Sequence, residues 1–222
     1  METTADRIKK KKFASFYTKG EEIFNAVSHI AGGAFSLAAW ILLALLSTGA
    51  KEALAVSAFG FGATVLYTMS ALYHFLPVGR AKTVFRVFDH CTIFLLIAGT
   101  YTPFAVIALG GTRTGLAILI TEWALCAAGI AMNAAAMEKK AVKIISMFLY
   151  VVTGWLIVAA FPLLLKSISA AAFALLLAGG VAYSVGIVFY ALGKRVKYFH
   201  SVWHLFDVAG TVLQCISILL IL

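Results

Sequence analysis

Seven long apolar segments, separated by short polar breaks, make up nearly the whole chain. Each is long enough for an α-helix to cross a bilayer, which takes roughly 20 residues. The breaks carry glycine, proline or charged residues, which favour turns. The apolar segments cover approximately residues 23–47, 53–76, 84–109, 115–136, 142–164, 169–192 and 200–222. This pattern predicts an all-α membrane protein with seven transmembrane helices, forming one domain over residues 1–222 with a basic cytoplasmic tail over residues 1–20.

The composition agrees with a chain that is almost entirely a membrane bundle. Hydrophobic residues make up 63% of it and charged residues only 12%, whereas soluble domains are roughly 45–50% apolar. The net charge of +9 does not indicate nucleic-acid binding, because the basic residues form short clusters between apolar segments. Cys91, Cys126 and Cys215 are scattered singly, so we expect three buried thiols rather than a disulfide framework.

The basic residues also predict the orientation of the bundle. Of the 18 lysines and arginines, 15 lie in the N-terminal tail and in the loops after spans two, four and six. Cytoplasmic loops carry such an excess. We therefore expect a cytoplasmic N-terminus, an external C-terminus and a multi-pass protein of the cell (plasma) membrane. The first apolar segment is too long for a cleaved signal peptide, so we expect it to be retained as a span.

Four polar residues fall at the cytoplasmic ends of these predicted helices: His74, Asp89, His200 and His204. His200 and His204 are four residues apart and so share one helical face. Ionisable groups at membrane depth are costly and usually functional. Three imidazoles with an open fourth position are typical of a catalytic zinc site. Asp89 would be a direct ligand or act through a water molecule, and Ser70, on the same face as His74, would bond that water or a substrate carbonyl.

Simpler interpretations of the same residues remain open. The histidines would be helix-end side chains satisfied by backbone and water. Asp89 would be a helix N-cap, and Ser70 would bond its own helix backbone.

The order of these motifs resembles the hemolysin III family. The matching stretches are Glu22–His29 (EIFNAVSH), Ser70–His74 (SALYH), Asp89–His90, Gly99–Pro103 (GTYTP) and His200–His204 (HSVWH). This family is the bacterial branch of the progestin and adiponectin receptor membrane proteins, within an alkaline-ceramidase-like superfamily. The resemblance implies a seven-helix bundle and Zn²⁺ held by His74, His200 and His204, with Asp89 acting through water. It also implies hydrolysis of lipid amides such as ceramide.

Other polar residues have less certain roles. Asp207 and Gln214 depart from the family pattern, in which an apolar residue and a histidine are usual. We expect Asp207 to orient a ligating imidazole or to pair with a loop cation, and His29 to support the site or the helix packing. Glu22 and Asn25 are expected to cap the first helix, and His90 to be structural. Glu122 would bond a neighbouring helix or belong to a proton route.

Three functions follow from these predictions. The first is an integral membrane zinc hydrolase that acts on lipid amide or ester bonds and so affects membrane lipid homeostasis. The second is a receptor-like or sensor protein in which zinc is structural. The third is a lytic protein, which ranks last because the intramembrane polar groups cluster at one end and do not line a path. The expected partners are membrane lipids, with no nucleic acid.

Overall fold

The computed structural model describes residues 17–222 as a bundle of seven helical spans, which confirms the predicted fold class. The helices are α1 (Lys19–Leu46), α2 (Ala50–Phe75), α3 (Arg80–Pro103), α4 (Arg113–Ala136), α5 (Lys140–Gly154), α6 (Phe161–Ser167), α7 (Ala170–Leu192) and α8 (Phe199–Leu219). Of the predicted basic tail, residues 1–16 lie outside the described part. Its last two residues belong to α1, which begins at Lys19.

The spans differ in how deeply they lie inside the bundle. The third span consists of α3 and a π-helical turn, Phe104–Ala108, that continues it. In the most apolar stretch of this span 67% of residues are buried, whereas in that of α7 only 22% are. Helix α3 lies between α2 and α4, and α8 packs against both α7 and α1. Glycines at two points of the α2–α3 interface allow this packing: a Cβ at Gly62 or Gly99 would press against the backbone of the opposite helix. The four-residue loop at residues 76–79 keeps the end of α2 next to the start of α3.

The fifth span is broken, which the apolar pattern did not predict. Helix α5 ends at Gly154, a 3₁₀ turn covers Leu156–Ala160, and α6 then follows. Pro162 stands in the first turn of α6, where its missing N–H costs least, but it cannot continue a helix that precedes it. The Gly154 carbonyl, released by the break, accepts a hydrogen bond from the Tyr101 hydroxyl.

The N-terminus of α1 also fixes the start of α8. Thr18 and Glu21 form a capping box, in which each side chain bonds the other's backbone N–H. The second oxygen of Glu21 accepts the backbone N–H of Tyr198 at 2.7 Å. Tyr198 has a φ of 62°, a left-handed conformation that is uncommon for residues other than glycine. Glu21 thus holds a strained residue directly before the helix that carries His200.

Candidate metal centre

Three buried histidines from two helices converge at one end of the bundle. One ring nitrogen from each of His74, His200 and His204 lies within 4.8 Å of the others. The Nε2 atoms of His200 and His204 are 3.2 Å apart, close to the roughly 3.3 Å that tetrahedral geometry at a metal–nitrogen distance of about 2.0–2.1 Å requires. His74 Nε2 is buried with no hydrogen-bond partner within residues 17–222. The three side chains are therefore close enough together that they could hold a metal ion.

His74 is oriented by a carboxylate that sequence reasoning assigned to helix capping. The cap of α1 is formed by Thr18 and Glu21 instead, and Glu22 lies on the inner side, where its Oε2 is 2.7 Å from His74 Nδ1. A carboxylate on one ring nitrogen fixes the tautomer and leaves the other nitrogen available to a metal. The contact with Glu22 thus leaves Nε2 of His74 as the ring nitrogen that is available to a metal.

Lys82 completes this arrangement, and sequence reasoning had placed it in a loop. It lies in the first turn of α3, and its Nζ is 3.0 Å from Glu22 Oε1. The same ammonium donates to the carbonyl of Tyr73 at 2.8 Å and to the carbonyls of His74 and Leu76 at 3.3 Å each. Lys82 thus caps the end of α2 and balances the charge of Glu22. One sequence signal could have indicated this contact: Lys82 follows His74 by eight residues, on the other side of a short loop.

Helix α1 also holds the far side of His204. The Nδ1 atom of His204 lies 3.4 Å from the Ser28 hydroxyl. The Asn25 side-chain oxygen in turn accepts from the Ser201 hydroxyl at 2.6 Å, which joins α1 to α8 within the first turn of the latter. Asn25 is therefore part of the site and not a cap, contrary to the sequence-based interpretation.

Tyr17 covers the cluster at the end of the bundle. Its ring stacks on that of His200, with centroids 4.5 Å apart and planes 18° from parallel. Burial raises the pKa of the Tyr17 hydroxyl above its ordinary value, and the nearby Tyr73 acts in the same direction. The cluster is thus covered by a neutral aromatic ring.

Asp89 lies beside the histidines but is not an N-cap. Gly79 occupies the cap of α3, and Asp89 lies about two and a half turns inside the helix, one turn deeper than predicted. Its carboxylate lies within reach of the Ser70 hydroxyl. His90 was expected to point away, yet its Nδ1 is 3.5 Å from Asp89 Oδ2. Its Nε2 is 3.2 Å from the Tyr190 hydroxyl. Asp89 thus has Ser70 on one side and His90 on the other.

A second layer lies deeper, below the cluster. The ring of His29 stacks on that of His204 with centroids 3.6 Å apart, and its Nε2 is 3.8 Å from Asp207 Oδ2. Asp207 and Gln214 both line an open cavity of about 80 Å³ between α3, α5, α7 and α8. The remaining lining is mostly aliphatic and aromatic. An apolar chamber therefore begins next to the histidine cluster.

Glu122 takes no part in the cluster. It is fully buried in α4, and its Oε1 accepts a weak hydrogen bond from the Cys126 thiol at 3.4 Å, one turn along the same helix. The neighbouring-helix bond expected as one of its roles is not seen within the described residues. The three cysteines are buried free thiols, as predicted.

Comparison with known proteins shows the family to which the chain is related. The model of the haemolysin-III related family matches residues 17–215. This chain belongs to the haemolysin-III related family. It is 35% identical to the hemolysin-3 homolog of Bacillus subtilis (strain 168), over 91% of this chain and 95% of that one. It is 37% identical to hemolysin-3 of Bacillus cereus over 90% of each chain. A weaker similarity, 27% over 74% of this chain and 69% of the relative, links it to the human monocyte to macrophage differentiation factor.

The geometry gives the N-terminal haemolysin-III motif a physical meaning. Between Glu22 and His29 of α1, four polar residues touch a histidine of the cluster: Glu22 and Asn25 reach His74, Ser28 reaches His204, and His29 stacks on His204. These positions recur at helical spacing. The motif thus builds one wall of the candidate metal centre.

Proposed function

We propose that the protein is an integral membrane zinc hydrolase that cleaves amide or ester bonds of membrane lipids and so affects membrane lipid homeostasis. The observation that carries the proposal is the convergence of three imidazole nitrogens beside a carboxylate, Asp89, that makes none of the contacts holding the histidines. A structural zinc site is normally closed by four protein ligands. Three histidines leave a position for a reacting group.

Zinc in this position would lower the pKa of a water molecule to about 7 and polarise a substrate carbonyl. The chain's own residues would supply the rest. Asp89 would accept the proton of the attacking water, and Ser70 would hold the Asp89 carboxylate in place. Glu22 and Lys82 keep His74 in one tautomer, and the Ser28 hydroxyl contacts Nδ1 of His204 in the same way.

The cavity supports a lipid substrate. Its apolar walls between α3, α5, α7 and α8 suit an acyl chain. It meets the histidine cluster through Tyr190, whose ring lies 5.8 Å from that of His200. A chain lying in the cavity would therefore carry its head group toward the zinc ligands.

A second candidate is a receptor-like or sensor protein in which zinc only ties the helices together. The cover of Tyr17 over His200 and the contacts of the cluster with α1, α2 and α8 favour it. Both functions require zinc, but only the hydrolase requires turnover.

The test is to purify the protein, measure zinc per chain and incubate it with a ceramide and a phospholipid, with products followed by mass spectrometry. The key variant is Asp89→Asn, which keeps the size and one oxygen but removes the charge. We expect it to retain zinc, bound ~10–100-fold more weakly, while hydrolysis falls by roughly 10²–10⁴. Zinc-loaded wild type without turnover of either lipid would support the structural role instead.

We further propose that the site lies near the cytoplasmic face of the plasma membrane, following the distribution of basic residues. A reporter fused after Leu222 should then be active only when it is of a type that works outside the cytoplasm. Activity of a cytoplasm-only reporter at this position would reverse the orientation and place the site at the outer face.

A further inference from the structure

Asp207 is a buried carboxylate in the wall of the apolar cavity. We propose that it is a specificity residue, which accepts a hydrogen bond from a hydroxyl or amide N–H close to the reacting end of the lipid in the cavity. The inference rests on the proposed function for the position of the reacting bond. It narrows the substrate class to lipids whose acyl chain carries a donor group near its carbonyl.

The first support is that the Asp207 carboxylate lacks a close partner. It is 4% exposed, and its contact with His29 Nε2 is 3.8 Å long, beyond hydrogen-bond range. None of the hydrogen bonds within residues 17–222 ends on it. A buried carboxyl that lines a cavity without such a bond is costly unless an occupant supplies a donor.

The second support is that other polar groups of the cavity wall are already engaged. Their hydroxyls bond to backbone carbonyls, to other side chains or to both. These hydroxyls belong to Thr100, Tyr101, Tyr150, Tyr183, Ser184 and Tyr190. Among the side chains of the wall, the Asp207 carboxylate and Gln214 Oε1 are therefore the acceptors that make no hydrogen bond within residues 17–222.

The depth of Asp207 fits a position near the head of the lipid. It follows His204 by three residues, so it lies on the same face of α8 and about 4.5 Å deeper in the bundle. A carbonyl held at the histidine cluster would place the first carbons of its acyl chain next to this carboxylate.

Gln214 provides a control at a different depth. Its Nε2 donates to the Leu176 carbonyl at 3.0 Å, which fixes the amide orientation. Oε1 is then left without a partner among the described residues. It lies about 10 Å beyond Asp207 along α8, too deep to meet a group near the head of the lipid.

The experiment compares hexadecanoic acid with 3-hydroxyhexadecanoic acid, two probes that differ only in a donor near the carboxyl end. Their affinities for the full-length protein in detergent are measured by displacement of a fluorescent fatty acid. We expect the wild type to bind the hydroxylated acid roughly fivefold more tightly, the effect of one hydrogen bond to a buried carboxyl group. D207L should bind both acids equally, whereas Q214L should keep the preference.

Equal affinity of the wild type for the two acids overturns the proposal, whatever the variants do. Preservation of the preference in D207L overturns it as well. If D207L does not fold, D207A removes both acceptor oxygens with a smaller side chain and should also bind both acids equally; an unchanged preference contradicts the role of Asp207.

The outcome is independent of catalysis because binding is measured without turnover. A preference for the hydroxylated acid in a protein that hydrolyses no lipid would leave the role of Asp207 standing and reject the hydrolase. Lipid hydrolysis by a protein without the preference would reject only the role of Asp207.

Discussion

Glu22 and Asp207 are two largely buried carboxylates that each lie near a histidine, yet their surroundings are opposite. Glu22 is bonded on both oxygens, to His74 at 2.7 Å and to Lys82 at 3.0 Å. Asp207 has only the 3.8 Å contact with His29 and otherwise borders the cavity. Both oxygens of the Glu22 carboxylate are thus engaged, and they hold His74 and Lys82 in fixed positions. The Asp207 carboxylate retains unused acceptors, as a surface that receives a ligand does.

The largest effect is expected from the histidines themselves. His200→Ala or His204→Ala should each remove most of the bound zinc, because each takes away one of three nitrogen ligands, and should lower the melting temperature as metal binding contributes to folding. Metal content of the purified variants checks this. His90→Ala, a histidine outside the cluster, is the matched control and should keep its zinc. Full occupancy after replacing both His200 and His204 would place the site elsewhere.

The contact between Glu22 and His74 leads to a second prediction, which concerns metal affinity. Glu22→Gln keeps the shape of the side chain but removes the charge that fixes the His74 tautomer. Zinc affinity should fall ~10–100-fold, as is typical when the partner of a metal-ligating histidine is changed, and chelator competition measures it. Glu138→Gln removes an acid that pairs with Arg86 at the exposed surface, so its affinity should not change. Equal losses in the two variants would contradict the orienting role.

Lys82 should contribute more to stability than an exposed cation. Lys82→Met removes a buried ammonium that makes one ion pair and three carbonyl bonds, and we expect a loss of about 1–3 kcal/mol. Thermal unfolding in detergent reports it. Lys143→Met, in which the lost partner is the exposed Glu138, should change stability by less than about 1 kcal/mol. A reversed order would show that α2 is not held by Lys82.

The smallest effect on stability is expected in the wall of the cavity, at Gln214. Gln214→Leu loses the bond to the Leu176 carbonyl but also removes an unpartnered oxygen. These changes oppose each other, so stability should shift by no more than about 1 kcal/mol. A loss as large as that of Lys82→Met would mean that Gln214 has a structural bond of the kind seen around Glu22.

The sequence predicted the features that depend on one helix at a time. The seven spans follow from the length of apolar runs, and the shared depth of His74, His200 and His204 follows from their places at helix ends. Pairs made across helices were missed. Glu22 and Lys82 were read as a cap and a loop residue, because their meeting depends on how α1, α2 and α3 pack.

Local backbone changes explain the remaining differences. The third helix begins at Arg80, since the charged residues before the apolar run are helical as well, and Asp89 is therefore deeper than predicted. The break after Gly154 was not predicted, because hydropathy alone shows residues 142–164 as one continuous apolar run. Its physical cause, Pro162 inside the span, was present in the sequence.

The central claim is that His74, His200 and His204 bind one zinc ion through their Nε2 atoms. X-ray absorption spectroscopy of the purified, zinc-loaded protein tests it most directly. We predict one zinc per chain with three imidazole nitrogens and one lighter oxygen ligand, at metal–ligand distances of about 2.0–2.2 Å. Sulfur ligands near 2.3 Å, or fewer than three imidazoles, would contradict the account.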